Sequence, residues 1–190
     1  MTVTQDRMLQ LYESMEPVEG VKIELLRGEI VMMATPKTFH NRIVQLVRQQ
    51  VPVDRFDVWS TQAIAPTAMT DRPDPDLFLT EAGAFEDFAD AVPSELVLMV
   101  LEVISTTRQA RKRDFDEKPE IYARGGIPVY VIVDPSGSGQ IHVLTSPDPV
   151  RGRYRDSHIG TFGEPVRLPP PVGFTLDTGR FRPYPKDSED

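Results

Sequence analysis

The chain has 190 residues, of which 39% are hydrophobic and 26% charged, and it contains no cysteine. This composition is typical of a soluble folded protein, and it excludes disulfide scaffolds, cysteine zinc sites and cysteine nucleophiles. The N-terminus has no apolar segment behind basic residues, so it does not resemble a secretory signal. The longest apolar run, residues 96–101, is far shorter than the roughly 20 residues that cross a bilayer. We therefore expect a cytoplasmic protein with no membrane partner.

The negative charge is concentrated in one part of the sequence. The chain carries 21 Lys and Arg against 29 Asp and Glu, a net charge of −8. Residues 71–102 contain nine acids and one base, so this segment alone accounts for the −8 and the rest sums to zero. A net negative charge normally argues against polyanionic partners. Concentrated carboxylates, however, are also what a divalent cation needs.

The N-terminal third predicts a helix, a hairpin and a second helix. Apolar residues at helical spacing predict a short amphipathic helix over residues 4–15. Two β-rich runs around Arg27-Gly28 predict a β-hairpin. Helical spacing returns over residues 38–50, and Pro52 is expected to end that helix.

The remainder predicts a mixed sheet. Strands are predicted at residues 58–64, 76–79, 95–104, 128–134 and 141–144, with a loop or short helix over 80–94 and a helix over 115–124. The two buried strands on either side of this last helix predict a right-handed βαβ unit. The expected fold class is therefore α/β (α+β), a mixed β-sheet flanked by helices.

The C-terminal segment has a different composition. Six of the 18 prolines lie between residues 165 and 185, which predicts an irregular segment lying over the core. No repeat and no long linker divides the chain. We expect one domain over residues 1–190, with its core at about 20–145.

Glu102 is the most informative position, because it interrupts an otherwise apolar strand. Burying an ionised carboxylate costs several kcal/mol unless a cation or strong donors meet it. The functional interpretation is a metal ligand or catalytic acid. The alternatives are a strand end at the surface, a buried salt bridge, or a protonated hydrogen-bonded acid.

Asp76 is the natural partner of Glu102, because it follows Pro75 at the start of a predicted strand. By itself, an acid beside proline is ordinary turn chemistry. Two carboxylates on neighbouring strands, however, can bind Mg²⁺ or Mn²⁺, and their mutual repulsion makes such a pair sensible mainly around a cation.

Lysine and histidine side chains could complete such a site. Lys118 lies on the helix after the Glu102 strand and could orient a water or stabilise phosphate charge. The alternative is a solvated lysine paired with Asp114 or Glu117. His40 could approach from its helix, although a capping or surface role fits equally well.

Two further groups are candidates. Glu24 could add a metal or water contact, as could Glu29, although both could equally be exposed hairpin residues. Four bases follow the Glu102 strand and could contact a phosphate backbone, the alternative being a solvated loop: Arg108, Arg111, Lys112 and Arg113.

Taken in order, these residues resemble a known family. The resemblance covers about residues 20–135 and rests on Ile23–Met33, His40, Arg72–Leu79, Leu98–Ser105, Asp114, Glu117-Lys118, Tyr122, Gly125–Pro128, Tyr130 and Val133–Pro135. The chain is similar to the bacterial restriction-endonuclease-like nucleases of the Uma-two type, within the PD-(D/E)xK nuclease superfamily. The resemblance implies a restriction-endonuclease-like fold with an extra β-hairpin, and often a homodimer.

The resemblance also implies roles for residues. Asp76 and Glu102 would bind a divalent metal, the Val103 carbonyl could join them, and a lysine would assist the attacking water. The chain departs from the superfamily pattern at Ile104, where that lysine should stand. The family resembles this chain in lacking it, and the helix lysine, Lys118, is the proposed substitute.

Pro119 bears on this substitution, because proline is tolerated only in the first turn of a helix. The helix is therefore expected to start near Asp116, with Lys112 as the fallback lysine if Lys118 does not reach the site.

Three functions follow from the sequence. The first is a Mg²⁺- or Mn²⁺-dependent endonuclease acting on DNA, with Asp76, Glu102 and Lys118 as the catalytic residues. The second is a catalytically inactive nuclease-fold module that binds nucleic acid or a protein partner. The third is an interaction protein in which both acids form salt bridges and no metal binds.

Overall fold

The computed structural model describes residues 3–35, 38–85 and 90–185. The α-helices of these residues are α1 (Val3–Glu13), α2 (Thr38–Arg48), α3 (Arg108–Lys112) and α4 (Lys118–Arg124), and a short 3-10 helix covers Ser94–Leu96. Its strands are β1 (Val21–Leu26), β2 (Glu29–Ala34), β3 (Phe56–Trp59), β4 (Ala63–Ala65), β5 (Leu77–Glu81), β6 (Ala91–Pro93), β7 (Val97–Val103), β8 (Val129–Asp134), β9 (Gln140–Asp148), β10 (Arg153–Thr161), β11 (Val166–Arg167) and β12 (Thr175–Leu176).

Six strands form the central sheet in the order β10-β9-β8-β7-β5-β3. β7 and β8 run parallel, as the predicted βαβ unit requires, and the other neighbours are antiparallel. The mixed sheet with flanking helices confirms the predicted fold class. β7 and β8 are buried along almost their whole length, which explains their nearly continuous apolar sequence.

Each face of the sheet carries its own apolar cluster. On one face, α2 packs with residues of the C-terminal segment, including Leu168, Leu176 and Phe181. On the other face, Tyr122 of α4 packs against Tyr130 and Ile132 of β8. The alternation of side chains along a strand therefore sends successive residues of β7 into different clusters.

The β1–β2 hairpin forms a separate two-stranded sheet that docks beside the central one. Its turn residues Arg27 and Gly28 have φ values of 54° and 81°, the two positive values that a type I′ turn requires. The Asp71 carboxylate accepts a hydrogen bond from the Arg27 N–H. Leu25 and Arg72 exchange main-chain hydrogen bonds of 3.3 and 2.7 Å. The hairpin is thereby held against the segment that leads into β5.

The predicted strand over residues 58–64 is wrong in its extent. The structure has two short strands here, β3 in the central sheet and β4 paired in parallel with β6. Thr61 lies between them with a φ of 55°, a left-handed conformation that interrupts an extended strand. Part of the acidic segment predicted as a loop or short helix, residues 86–89, lies outside the described residues.

The prediction for the connection after β7 is also corrected. The basic stretch begins helix α3, capped by the Thr107 side chain, which accepts a hydrogen bond from the Ala110 N–H. A π-helical turn over residues 113–117 joins α3 to α4. Pro119 is tolerated because it stands in the first turn of α4, which begins at Lys118 rather than near Asp116.

Within the described residues, no helix is both long and apolar enough to cross a membrane.

Candidate functional site

The two acids singled out from the sequence lie side by side in the sheet. Leu77 at the start of β5 pairs with Leu101 of β7, so the preceding Asp76 stands opposite Glu102. The Val103 N–H donates a hydrogen bond of 2.7 Å to Asp76 Oδ2. The antiparallel register of two strands therefore joins residues that are 26 positions apart in the sequence.

Asp76 is surrounded by cationic and donor groups. His40 Nε2 of α2 lies 2.9 Å from Asp76 Oδ2, and Lys22 Nζ of β1 lies 3.6 Å from Asp76 Oδ1. Burial alone would raise the pKa of Asp76, but Lys22, His40 and the Val103 N–H together hold it well below its usual value. Asp76 is thus ionised at neutral pH. Its Oδ2 accepts a hydrogen bond from the Val103 N–H and lies close to His40, and its Oδ1 faces the hairpin.

Glu102 points toward the apolar cluster that contains Tyr122 and Tyr130, and it is 3% exposed. Its Oε1 accepts hydrogen bonds from Lys118 Nζ at 2.7 Å and from the Tyr122 hydroxyl at 2.9 Å. Burial raises the pKa of Glu102 to about 8, with the charge of Asp76 adding to the rise and Lys118 opposing it. The interpretation of Glu102 as a strand end at the surface is therefore wrong.

Lys118 reaches the site, and the alternative of a solvated helix lysine is wrong, because its side chain is 3% exposed. Its Nζ lies 2.7 Å from Glu102, 3.0 Å from Glu24 and 3.7 Å from Asp114. Burial would lower the pKa of Lys118, but these three carboxylates raise it well above its usual value. The π-helical turn before α4 sets the direction in which Lys118 points.

The hairpin contributes two residues, one of which the sequence analysis missed. Glu24 is fully buried rather than exposed, and its Oε1 accepts a hydrogen bond of 2.8 Å from the Asp74 N–H. Lys22 stands two residues earlier, so both side chains leave the same face of β1. The two-residue spacing of Lys22 and Glu24 in a predicted strand was the signal that could have identified Lys22. Glu29, at the other end of the turn, is exposed.

Carboxylates outnumber the cations in this cluster. Among the described residues, two lysines of this cluster, Lys22 and Lys118, lie among five carboxylates: Glu24, Asp74, Asp76, Glu102 and Asp114. Burial raises the pKa of Asp114 to about 6, a further effect of this crowding.

The chemistry of the donor atoms fits a hard divalent cation, although their present arrangement does not form a metal site. Glu24 Oε2 and Asp74 Oδ1 are buried carboxylate oxygens without a hydrogen-bond partner among the described residues, and oxygen donors are what Mg²⁺ and Mn²⁺ prefer. As the side chains stand, however, no three Asp, Glu or His residues of the described part converge at metal-ligand spacing. The lysine ammonium groups occupy the centre instead.

The basic segment after β7 lies outside this cluster. Arg111 forms two hydrogen bonds with Asp134 of 2.9 and 2.8 Å, and Lys112 pairs with Glu117 at 3.2 Å. Arg108 is exposed, and Arg113 contacts Met33 of β2. Lys112 is 70% exposed along its side chain, and the fallback is not needed for reach, since Lys118 itself contacts Glu102.

Comparison with known proteins agrees with this architecture. Residues 9–179 match the model of the Uma2 family, described as "Putative restriction endonuclease". A solved structure described as "a putative nuclease belonging to DUF820" from Anabaena variabilis ATCC 29413 superimposes with a TM-score of 0.66 at 13% identity, covering 91% of this chain and 97% of that one. At that identity the likeness shows a shared fold. No curated protein matches this chain significantly. Because the family model spans most of the sequence, the chain belongs to the Uma2 family of restriction-endonuclease-like nucleases.

Proposed function

We propose that this protein is an endonuclease that hydrolyses DNA phosphodiester bonds with the help of Mg²⁺ or Mn²⁺. Restriction-endonuclease-like nucleases generally use divalent metals, and membership of the family suggests DNA as the substrate. The observation that carries the proposal is the pairing of Asp76 with Glu102 at neighbouring strand positions, within a cluster that holds more carboxylates than cations. An excess of carboxylates over cations favours the binding of a further cation.

Asp76 and Glu102 are the residues that would hold the ion. The Val103 carbonyl belongs to the residue whose N–H already donates to Asp76, so it is a suitable third ligand. Glu24, with its unpartnered Oε2, is an accessory candidate. When bound, the divalent ion supplies an acidified water and an electrostatic partner for the scissile phosphate.

The protein's own residues prepare this site. The Val103 N–H fixes the orientation of Asp76 by its hydrogen bond to Oδ2, and His40 packs beside the same oxygen. Lys118 and Tyr122 orient Glu102 through their hydrogen bonds to Oε1. Arg108 and Lys112, both exposed on α3, are available for phosphate contacts beside the site, whereas Arg111 first has to leave Asp134.

The test is a plasmid-nicking assay with purified protein. Wild type with Mg²⁺ or Mn²⁺ is expected to convert supercoiled DNA to the open circle, and EDTA should stop the reaction. Asp76→Asn and Glu102→Gln should each lower the rate by about 100-fold or more. Asp156→Asn serves as the matched control, because Asp156 is exposed on β10 at the outer edge of the sheet. No cleavage with either metal, or wild-type rates in both site variants, would contradict the proposal.

A second candidate, the interaction protein in which both acids form salt bridges, is favoured by one specific observation. Each of the two acids already has a cationic partner within the protein, so the fold does not need a metal to neutralise them. Calorimetric titration with Mn²⁺ separates the candidates. An active site binds Mn²⁺ in wild type and loses that binding in Asp76→Asn, whereas no heat from wild type favours the interaction protein that binds no metal.

The single-domain organisation and the homodimer stay predictions. Size-exclusion chromatography coupled to light scattering measures the oligomeric state directly, because a dimer doubles the mass of the 21.4 kDa chain.

A further inference from the structure

An open cleft lies beside one half of the acidic cluster. Its volume is about 940 Å³, and α1, β1 and the segment before β5 form its walls. Lys22, Asp74 and Asp76 are among its lining residues, whereas Glu102 and Lys118 are not among the described residues that line it. A substrate that enters the cleft therefore meets Asp76 and Lys22 before it can meet Lys118.

Lys118 is enclosed by carboxylates. Its Nζ lies at hydrogen-bond distance from Glu102 and Glu24, 2.7 and 3.0 Å, and 3.7 Å from Asp114. Its side chain is 3% exposed. Contact with a phosphate would require Lys118 to give up a buried ion pair, and the carboxylate left behind would be uncompensated.

Lys22 is placed differently. Its side chain is 15% exposed, and the ion pair recorded for it among the described residues is the one with Asp76 at 3.6 Å. That distance is longer than a hydrogen bond, so the ammonium is a close counter-charge that is not locked to the carboxylate. It faces Asp76 Oδ1, whereas the Val103 N–H donates to Oδ2 and His40 Nε2 lies 2.9 Å from that oxygen.

We propose that Lys22 is the catalytic lysine of this nuclease and takes the place of the lysine that is missing at Ile104. The inference rests on the proposed function. The Lys22 ammonium would contact a non-bridging oxygen of the scissile phosphate in the cleft, and it would stabilise the negative charge that builds up there in the transition state. Lys118 would then be a positioning residue that acts through Glu102.

The hydrolytic step balances without a further reactant. The oxygen of a water forms a bond to phosphorus, and the bond from phosphorus to the leaving sugar oxygen breaks. The water proton passes to the leaving oxygen through solvent. Lys22 keeps its own proton throughout, so its contribution is charge and not proton transfer.

The experiment compares Lys22→Met with Arg153→Met, which removes one exposed positive charge from the far edge strand β10. Two quantities are measured: the nicking rate with Mn²⁺, and the affinity for a fluorescent DNA duplex in EDTA. We expect Lys22→Met to lower the nicking rate by about 100-fold and to weaken duplex binding without metal. Arg153→Met should leave the nicking rate at the wild-type value, and Lys22→Arg should recover part of the loss, because it restores the charge.

The outcomes separate the inference from the proposed function. If wild type nicks DNA and Lys22→Met nicks it within about threefold of wild type, the inference is overturned and the nuclease function stands. If wild type neither nicks nor binds DNA, the proposed function fails and the role of Lys22 fails with it. Circular dichroism checks that each variant is folded. If Lys22→Met is unfolded, the nicking rate of Lys22→Gln is compared with wild type instead. This variant keeps a hydrogen-bond donor beside Asp76 and loses the charge.

Discussion

The acidic cluster has a buried half and a cleft half, and each contains one lysine. In the buried half, Lys118 lies among Glu24, Glu102 and Asp114 at distances of 2.7–3.7 Å. In the cleft half, Lys22 lies 3.6 Å from Asp76 and remains partly exposed. The same side-chain chemistry therefore serves two purposes. A lysine enclosed by carboxylates stabilises the folded chain, whereas a loosely paired lysine at a cleft is available to a substrate.

The largest expected effect is a loss of stability when the lysine of the buried half is removed. Lys118→Met should lower the free energy of unfolding by about 3 kcal/mol or more, because removing one partner of a buried ion pair leaves uncompensated charge. Urea denaturation of the metal-free protein measures it. Lys22→Met is the matched comparison and should cost less than Lys118→Met, because Lys22 has a longer ion pair, at 3.6 Å, and the Val103 N–H still donates to Asp76 after the substitution. Equal losses in both variants would contradict the division into two halves.

A smaller effect is expected from the hydroxyl that assists Lys118. Tyr122 is fully buried and donates to Glu102 Oε1, so Tyr122→Phe should lower the free energy of unfolding by about 1.5 kcal/mol. Tyr154→Phe is the control, because its hydroxyl donates at the same distance, 2.9 Å, to the main-chain carbonyl of Ile127 in a part-buried position. A Tyr122→Phe variant as stable as wild type would show that Lys118 alone satisfies Glu102.

The smallest effect comes from an ion pair outside the cluster. Burial opposes the charge of Asp134, but the hydrogen bonds from Arg111 and Ser136 lower its pKa below the ordinary value of 3.8. A lowered carboxyl pKa stabilises the fold above the unfolded-state value, and this stabilisation is lost as the pH falls through the folded-state value.

Asp134→Asn should therefore be less stable than wild type by about 1 kcal/mol at pH 6, because Arg111 is partly exposed and its pairing is screened by solvent. The difference should shrink as the pH falls below 4. Urea denaturation at pH 6 and pH 3 measures both values. A difference that stays constant with pH would mean that packing, and not the charge of Asp134, provides the stabilisation.

The elements that could be predicted are those with a strong local pattern. The hairpin at Arg27-Gly28, the helix that starts at Thr38 and the parallel strands β7 and β8 all follow from periodicity and turn residues. The strand over 58–64 could not be placed correctly, because a single left-handed residue, Thr61, divides it. The helical start at Arg108 was missed because a dense run of charge resembles a solvated loop.

The sequence also identified two acids that the fold buries at neighbouring strand positions. A lone acid in an apolar strand and an acid after proline identified Glu102 and Asp76, since the cost of burying a carboxylate makes such positions rare. Only the tertiary structure decided which lysine faces which acid. Docking of the hairpin buries Glu24 and brings Lys22 to the cleft side of Asp76, while α4 turns Lys118 inward. Those contacts join β1 to residues more than 50 positions away, and no local pattern encodes the distance between them.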